Sequence, residues 1–158
     1  MRVESEQGKG SVFYFTLPYV LEEEMKDKEK KIFNVEDTKD LSNKKILVAE
    51  DIESNFRLIK YFLSAINAEI IWAENGKEAI ESYRANNDID LILMDIKMPV
   101  MDGYDAIKAI RALNKDIPII AQTAYADDRI KVIESGCNGF ISKPFDRQRL
   151  LTLIRAHI

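Results

Sequence analysis

The stretch KILVAEDIESNFRLIKYFLSAI, residues 45–66, joins a short β-rich apolar run to a segment whose apolar residues recur at helical spacing. The apolar run covers residues 46–49. The helical repeat of apolar side chains consists of Leu58, Ile59, Phe62, Leu63 and Ile66. A strand that leads directly into an amphipathic helix is the repeating unit of a parallel sheet, so this stretch predicts a β-α unit.

The same alternation continues to the C-terminus. Further strand-like apolar runs occur at residues 68–72, 91–94, 117–121 and 139–142, each followed by a segment of helical character. We expect Asp127 and Asp128 to open the fourth helix and Gly136 to end it. Right-handed crossovers and the need to cover both sheet faces leave few topologies. The sequence therefore predicts an α/β fold, a flavodoxin-like doubly wound (βα)5 parallel sheet with strand order 2-1-3-4-5.

The segment before Lys45 has a different character. Residues 2–19 resemble a β-hairpin, with a glycine-rich turn at residues 8–10. Residues 20–44 contain runs of glutamate and lysine with few apolar side chains, which is typical of a solvated linker. We therefore predict three parts: residues 1–19, a linker at 20–44, and one domain at 45–158.

Composition limits the classes of function. The chain has 158 residues, 46% hydrophobic and 32% charged, which is enough for one core and a solvated surface. A net charge of -4 argues against a general affinity for nucleic acid or anionic membranes, since both require a basic face. Cys137 is the only cysteine, so no intrachain disulfide can form. No apolar run approaches the roughly 20 residues of a membrane span, and we expect a cytoplasmic location, with any membrane anchor of a parent protein outside this chain.

Charged and hydroxyl side chains follow the predicted strands at their carboxyl ends. They are Glu50, Asp51, Asp95, Thr123 and Lys143. In an open parallel sheet the functional crevice lies at this edge. Three carboxylates that meet there repel one another unless a cation compensates, and oxygen ligands of this kind suit Mg²⁺ completed by a phosphate oxygen. The set thus indicates phosphoryl transfer, with a metal on one side and Lys143 and Thr123 on the other.

These residues resemble the motifs of a response-regulator receiver domain. The resemblance covers about residues 45–158 and rests on four elements in order: Glu50-Asp51, Asp95 within MDIKMP followed by Asp102-Gly103, Thr123-Ala124, and Lys143-Pro144-Phe145. It implies a receiver that takes a phosphoryl group from a phosphohistidine of a histidine kinase or a histidine phosphotransfer protein, and then changes conformation.

The resemblance also implies roles for single residues. Asp95 would be the phosphoacceptor, Asp51 a direct Mg²⁺ ligand and Glu50 a ligand through water. The carbonyl of Lys97 would be a further ligand. Thr123 and Lys143 would contact phosphoryl oxygens, Phe140 would reorient together with Thr123, and the Lys143-Pro144 bond would be cis. Asn55 fits a pattern common in receivers attached to kinases, whereas Ile52 stands where such receivers often have asparagine.

The first nineteen residues resemble the terminal hairpin of a histidine kinase ATP-binding domain, through VESEQGKGS at residues 3–11 and FYFTLP at residues 13–18. This resemblance implies that the chain is a C-terminal piece of a hybrid histidine kinase. The kinase core is missing, so this piece would catalyse only phosphorylation and dephosphorylation of its own aspartate. The cut hairpin could add to another strand edge, which makes self-association possible.

Other functions fit the residues less well. A haloacid-dehalogenase-type phosphatase would need an aspartate two residues after its nucleophile, where this chain has Lys97. A flavin-binding flavodoxin would need a hydroxyl- and glycine-rich loop after the first strand, where this chain has Asp51 and Glu53. A degenerate receiver remains possible in structural terms. Taken singly, Glu50-Asp51 could be a helix cap, Asp95 a strand end, and Thr123 and Phe140 core residues.

Overall fold

The computed structural model describes residues 2–16, 40–124 and 129–158, apart from the side chains of residues 129 and 130. The predicted helix start at Asp127 and Asp128 and most of the predicted linker lie outside these residues. The chain divides into two compact units, residues 1–37 and 38–158. Within the described residues, no helix has the length and apolarity needed to cross a membrane.

The first unit contains a two-stranded antiparallel hairpin, as predicted. Strand β1 (Arg2–Glu6) pairs with β2 (Gly10–Tyr14), and Val3 lies opposite Phe13. All described residues of this hairpin are exposed. Residues 17–19, which the sequence also assigned to this segment, lie outside the description.

The second unit contains a five-stranded parallel sheet flanked by helices. Its strands are β3 (Lys45–Ala49), β4 (Glu69–Ala73), β5 (Leu91–Asp95), β6 (Ile119–Thr123) and β7 (Gly139–Ser142). Its helices are α1 (Glu53–Leu63), α2 (Gly76–Ala85), α3 (Gly103–Leu113), α4 (Arg129–Glu134) and α5 (Arg147–Arg155). The strand order β4-β3-β5-β6-β7 is the predicted 2-1-3-4-5 when the strands are counted from β3.

Helices cover both faces of the sheet, because alternate side chains of each strand point to opposite sides. Leu47 and Ile92 belong to a core shared with α2, α3 and α4. Ile46 and Leu91 belong to a second core shared with α1 and α5. Burial on both sides explains why the inner strands β3 and β5 contain continuous apolar runs rather than alternating ones.

Three local details differ from the sequence predictions. Strand β6 begins at Ile119, after Pro118, because proline has no N–H to donate to a neighbouring strand. On α1, Phe56 is buried and Leu58 is exposed, since Leu58 lies almost opposite Phe56 on the helix. Leu41, in the predicted linker, is buried, and its N–H donates to the carbonyl of Ile66, so packing of the domain begins before Lys45.

Candidate functional site

Two adjacent strands bring three carboxylates together. Ala49 of β3 lies beside Met94 of β5 in the sheet, so the residues that follow reach the same edge. Carboxylate oxygens of Glu50, Asp51 and Asp95 all lie within 4.8 Å of one another. Glu50 is 0% exposed and Asp95 is 6% exposed. Such crowded acids require a compensating cation, as the sequence predicted.

Lys143 supplies positive charge to this cluster from the end of β7. Its Nζ donates to Asp95 Oδ2 at 2.5 Å and to Glu50 Oε2 at 2.6 Å. Burial disfavours the charged ammonium, but the hydrogen bonds to Asp95 and then Glu50 outweigh burial and raise the pKa of Lys143. The Lys143-Pro144 peptide bond is cis, as expected.

The second oxygen of Asp95 and the neighbouring strand complete the site. Asp95 Oδ1 accepts a hydrogen bond from the backbone N–H of Lys97 at 3.1 Å. Thr123 is buried at the end of β6, and its carbonyl accepts from the N–H of Lys143 at 2.7 Å. Phe140 of β7 is half-buried against the core, beside Ala121 and on the same sheet face as Thr123.

The turn after β5 can form only with glycine at residue 103. A Cβ on Gly103 would overlap the carbonyl oxygen of Asp95, and the N–H of Gly103 donates to the carbonyl of Ile96 at 3.0 Å. Asp102 caps α3 by accepting from the N–H of Asp105. The Asp-Gly pair of the motif thus allows α3 to begin directly against the strand that carries Asp95.

Two further residues contact Glu50, and neither contact was predicted from the sequence. Asn55 Nδ2 donates to Glu50 Oε1 at 2.9 Å. The indole Nε1–H of Trp72 donates to the backbone carbonyl of Glu50 at 2.8 Å. Asn55 already fits the pattern of receivers attached to kinases, and its contact with Glu50 could have been predicted, because an amide in the first turn of α1 can reach back to the preceding turn. No local sequence pattern indicated the contact of Trp72 with Glu50, since only strand pairing brings β4 beside Glu50.

Comparisons with known proteins agree with this arrangement. The family model for the response regulator receiver domain matches residues 46–155. Hybrid signal transduction histidine kinase I of Dictyostelium discoideum is 39% identical over 124 residues, which is 72% of this chain and 7% of that protein's length. The polar-differentiation response regulator DivK of Brucella anthropi is 34% identical over 119 residues, covering 73% of this chain and 96% of DivK.

Solved structures show the same similarity. The receiver domain of the sensor histidine kinase PA1611 from Pseudomonas aeruginosa PAO1, described with a magnesium ion coordinated in its active-site cleft, matches with a TM-score of 0.67 and 33% identity. That match covers 72% of this chain and 96% of the solved domain. Neither the phosphatase nor the flavodoxin alternative gains support from these similarities. The chain belongs to the response regulator receiver domain family and is a phosphorelay receiver.

Proposed function

We propose that Asp95 accepts the phosphoryl group, from a phosphohistidine carried by a histidine kinase or a histidine phosphotransfer protein. The observation that carries this assignment is the contact of Asp95 with Lys143 at 2.5 Å, inside a cluster of three carboxylates. An aspartate oxygen would form the new bond to phosphorus while the bond from phosphorus to the donor imidazole breaks. The electron pair of the broken bond returns to the imidazole nitrogen.

The donor atoms of the cluster fit Mg²⁺, which prefers oxygen ligands and retains several waters. Asp51 and Asp95 would bind the ion directly, Glu50 through water, and the carbonyl of Lys97 would add a further oxygen. A bound Mg²⁺ supplies charge neutralisation, both for the carboxylates and for the oxygens of the incoming phosphoryl group.

The residues on the other side of Asp95 would hold the transferred group. The ammonium of Lys143 is already beside Asp95 and can pair with a phosphoryl oxygen without a large movement. The hydroxyl of Thr123, on the next strand, would contact a second oxygen. Because Phe140 lies on the same sheet face as Thr123, a shift of Thr123 toward the phosphoryl group would open space for the ring to turn inward.

Exposed apolar side chains in the two turns that follow β3 and β5 suit the docking of a protein donor. Ile52 is 51% exposed directly after the acidic pair, and Val100 is 81% exposed in the turn after β5. Apolar groups that flank a reactive carboxylate can exclude water from the transfer when a partner covers them. We therefore assign these two residues to the surface that a phosphohistidine-bearing domain contacts.

The parent protein would be a hybrid histidine kinase whose receiver lies in the cytoplasm, with any membrane anchor in another segment. Residues 1–19 would be the end of its ATP-binding domain, residues 20–44 a linker that packs onto the next domain from Leu41 onward, and residues 45–158 the receiver. The hybrid kinase of Dictyostelium discoideum supports this proposal. The exposed apolar side chains of the hairpin, Phe13 and Phe15, would favour self-association of the isolated chain.

Phosphorylation by labelled acetyl phosphate tests the assignment. Wild-type protein should be labelled only with Mg²⁺ present, and Asp95→Asn should abolish labelling. Asp105→Asn, which removes an exposed aspartate on α3, is the matched control and should be labelled like wild type. Equal labelling of the Asp95→Asn protein and wild type would overturn the assignment.

A further inference from the structure

The turn between β3 and α1, residues 50–52, carries two of the three carboxylates of the site. Among the described residues no side chain caps the start of α1, because the N-cap position is Ile52, which offers no hydrogen-bonding side chain. The backbone N–H groups of Asn55 and Phe56 instead donate to the carbonyl of Ile52. Asn55 of α1 holds the side chain of Glu50, but no side-chain cap joins the turn to the helix, so contacts from outside α1 also determine the position of its backbone.

Trp72 supplies one of these contacts, from the neighbouring strand β4. Its indole N–H donates to the carbonyl of Glu50, while the N–H of Glu50 donates to the carbonyl of Ala73 at 3.0 Å. The carbonyl that Trp72 holds belongs to the peptide group that joins Glu50 to Asp51. Rotation of this peptide group would move the Asp51 carboxylate relative to Asp95, so the indole restricts the geometry of the metal ligands.

The ring of Trp72 also fixes the beginning of the helix. It stacks on Phe56 with 4.4 Å between ring centroids and 4° between the ring planes. Phe56 is buried and lies in the first turn of α1. One side chain therefore contacts both the Glu50–Asp51 peptide group and the helix that follows it.

We infer that Trp72 is a positioning residue for the Mg²⁺ site, acting through the carbonyl of Glu50. This inference rests on the proposed function, because it assumes that Glu50, Asp51 and Asp95 bind Mg²⁺. Trp72 is the only tryptophan of the chain, so its indole N–H gives a single resonance that reports on this contact.

The test is a Mg²⁺ titration monitored by NMR. The chemical shift of the Lys97 backbone amide, whose N–H contacts Asp95, reports on Mg²⁺ binding. Trp72→Phe retains an aromatic ring over Phe56 but removes the N–H, and it should weaken Mg²⁺ binding by about two- to tenfold, the effect of one lost hydrogen bond. Phe56→Leu is the matched control. It removes the stack but keeps the indole N–H. It should therefore lower the thermal stability, and should weaken Mg²⁺ binding less than Trp72→Phe does.

Each outcome decides the inference. Unchanged Mg²⁺ affinity in Trp72→Phe, or an equal loss in Phe56→Leu, would overturn the role of Trp72 while leaving the proposed function intact. No Mg²⁺-dependent shift in the wild-type protein would contradict the metal site itself. If Trp72→Phe does not fold, the wild-type indole resonance decides: it should shift with the same midpoint as the Lys97 amide, and a constant indole shift at saturating Mg²⁺ would refute the inference.

Discussion

Lys143 and Lys45 each lie between two carboxylates. Lys143 is at the carboxyl ends of the strands of the sheet, and Lys45 is at their amino ends. Lys143 contacts Glu50 at 2.6 Å and Asp95 at 2.5 Å, and both acids are buried. Lys45 contacts Asp88 at 2.8 Å and Glu69 at 3.3 Å, and both of these acids are exposed. The charges and distances are similar, so burial is the main difference between the two clusters.

Burial changes what these charges can do. Both acids that contact Lys45 are in water, which screens their charges, and ion pairs of this kind contribute little to stability. At the Lys143 edge the acids are removed from water and crowded together, so each of them depends strongly on a nearby cation. The same difference makes the buried cluster suitable for binding a metal and a phosphoryl group.

The largest expected effect is on phosphoryl transfer. Lys143→Ala should lower the rate of Asp95 phosphorylation by acetyl phosphate on the order of a hundredfold, because a cation beside the transferred oxygens is lost. Lys45→Ala, at the other edge, should be phosphorylated at the wild-type rate. Initial rates of labelling at saturating Mg²⁺ measure both, and comparable rates for the two variants would show that the clusters are not functionally different.

The two lysines should also differ in their contribution to stability, and Lys143 should again have the larger effect. Lys143→Met leaves two buried carboxylates without their cation and should reduce the free energy of unfolding by about 3 kcal/mol in the presence of a chelator. Lys45→Met should cause a much smaller loss, since its partners are solvated. Urea unfolding measures the difference, and added Mg²⁺ should bring the Lys143 variant closer to wild type while leaving the difference between the Lys45 variant and wild type unchanged.

Gln122 extends the comparison to a buried group without charge. It lies on β6 beside Asp95, is 0% exposed, and within the described part of the chain neither side-chain polar atom has a hydrogen-bond partner. Gln122→Met should therefore raise the free energy of unfolding by about 1 kcal/mol. Gln148→Met, at an exposed position on α5, is the control and should be neutral. A destabilised Gln122→Met protein would indicate that the amide is satisfied, for example by buried water.

The smallest expected effect is the pH dependence of the stability that the exposed cluster of Lys45 and Asp88 contributes. The hydrogen bond to Lys45 lowers the pKa of Asp88 below its usual value of 3.8. A lowered pKa in the folded state stabilises the protein above the unfolded pKa, and this contribution is lost as pH falls through the folded pKa. The urea midpoint of Asp88→Asn should lie slightly below wild type at pH 6, and the difference should disappear as the pH falls below 3.8 and through the lowered pKa of Asp88. A constant difference across this range would contradict the ion-pair explanation.

Most of the site could be predicted because its residues follow strands. The apolar runs locate the strands, and parallel pairing brings their carboxyl ends to one edge, which placed Glu50, Asp95 and Lys143 correctly relative to one another. Phe56 and Leu58 show the limit of this reasoning. Both are apolar residues on α1, and only the position of the sheet decides which of them is buried.

The sequence by itself determined the alternation of strands and helices, the strand order and the order of the functional motifs, because these depend on local periodicity and on a small number of allowed topologies. Tertiary structure alone decided that Trp72 holds the backbone of the acidic turn. The contact between Trp72 and Glu50 joins neighbouring strands that are separated by a whole helix in the sequence. No local pattern encodes such a contact, since it depends on strand register and on the packing of α1 against β4.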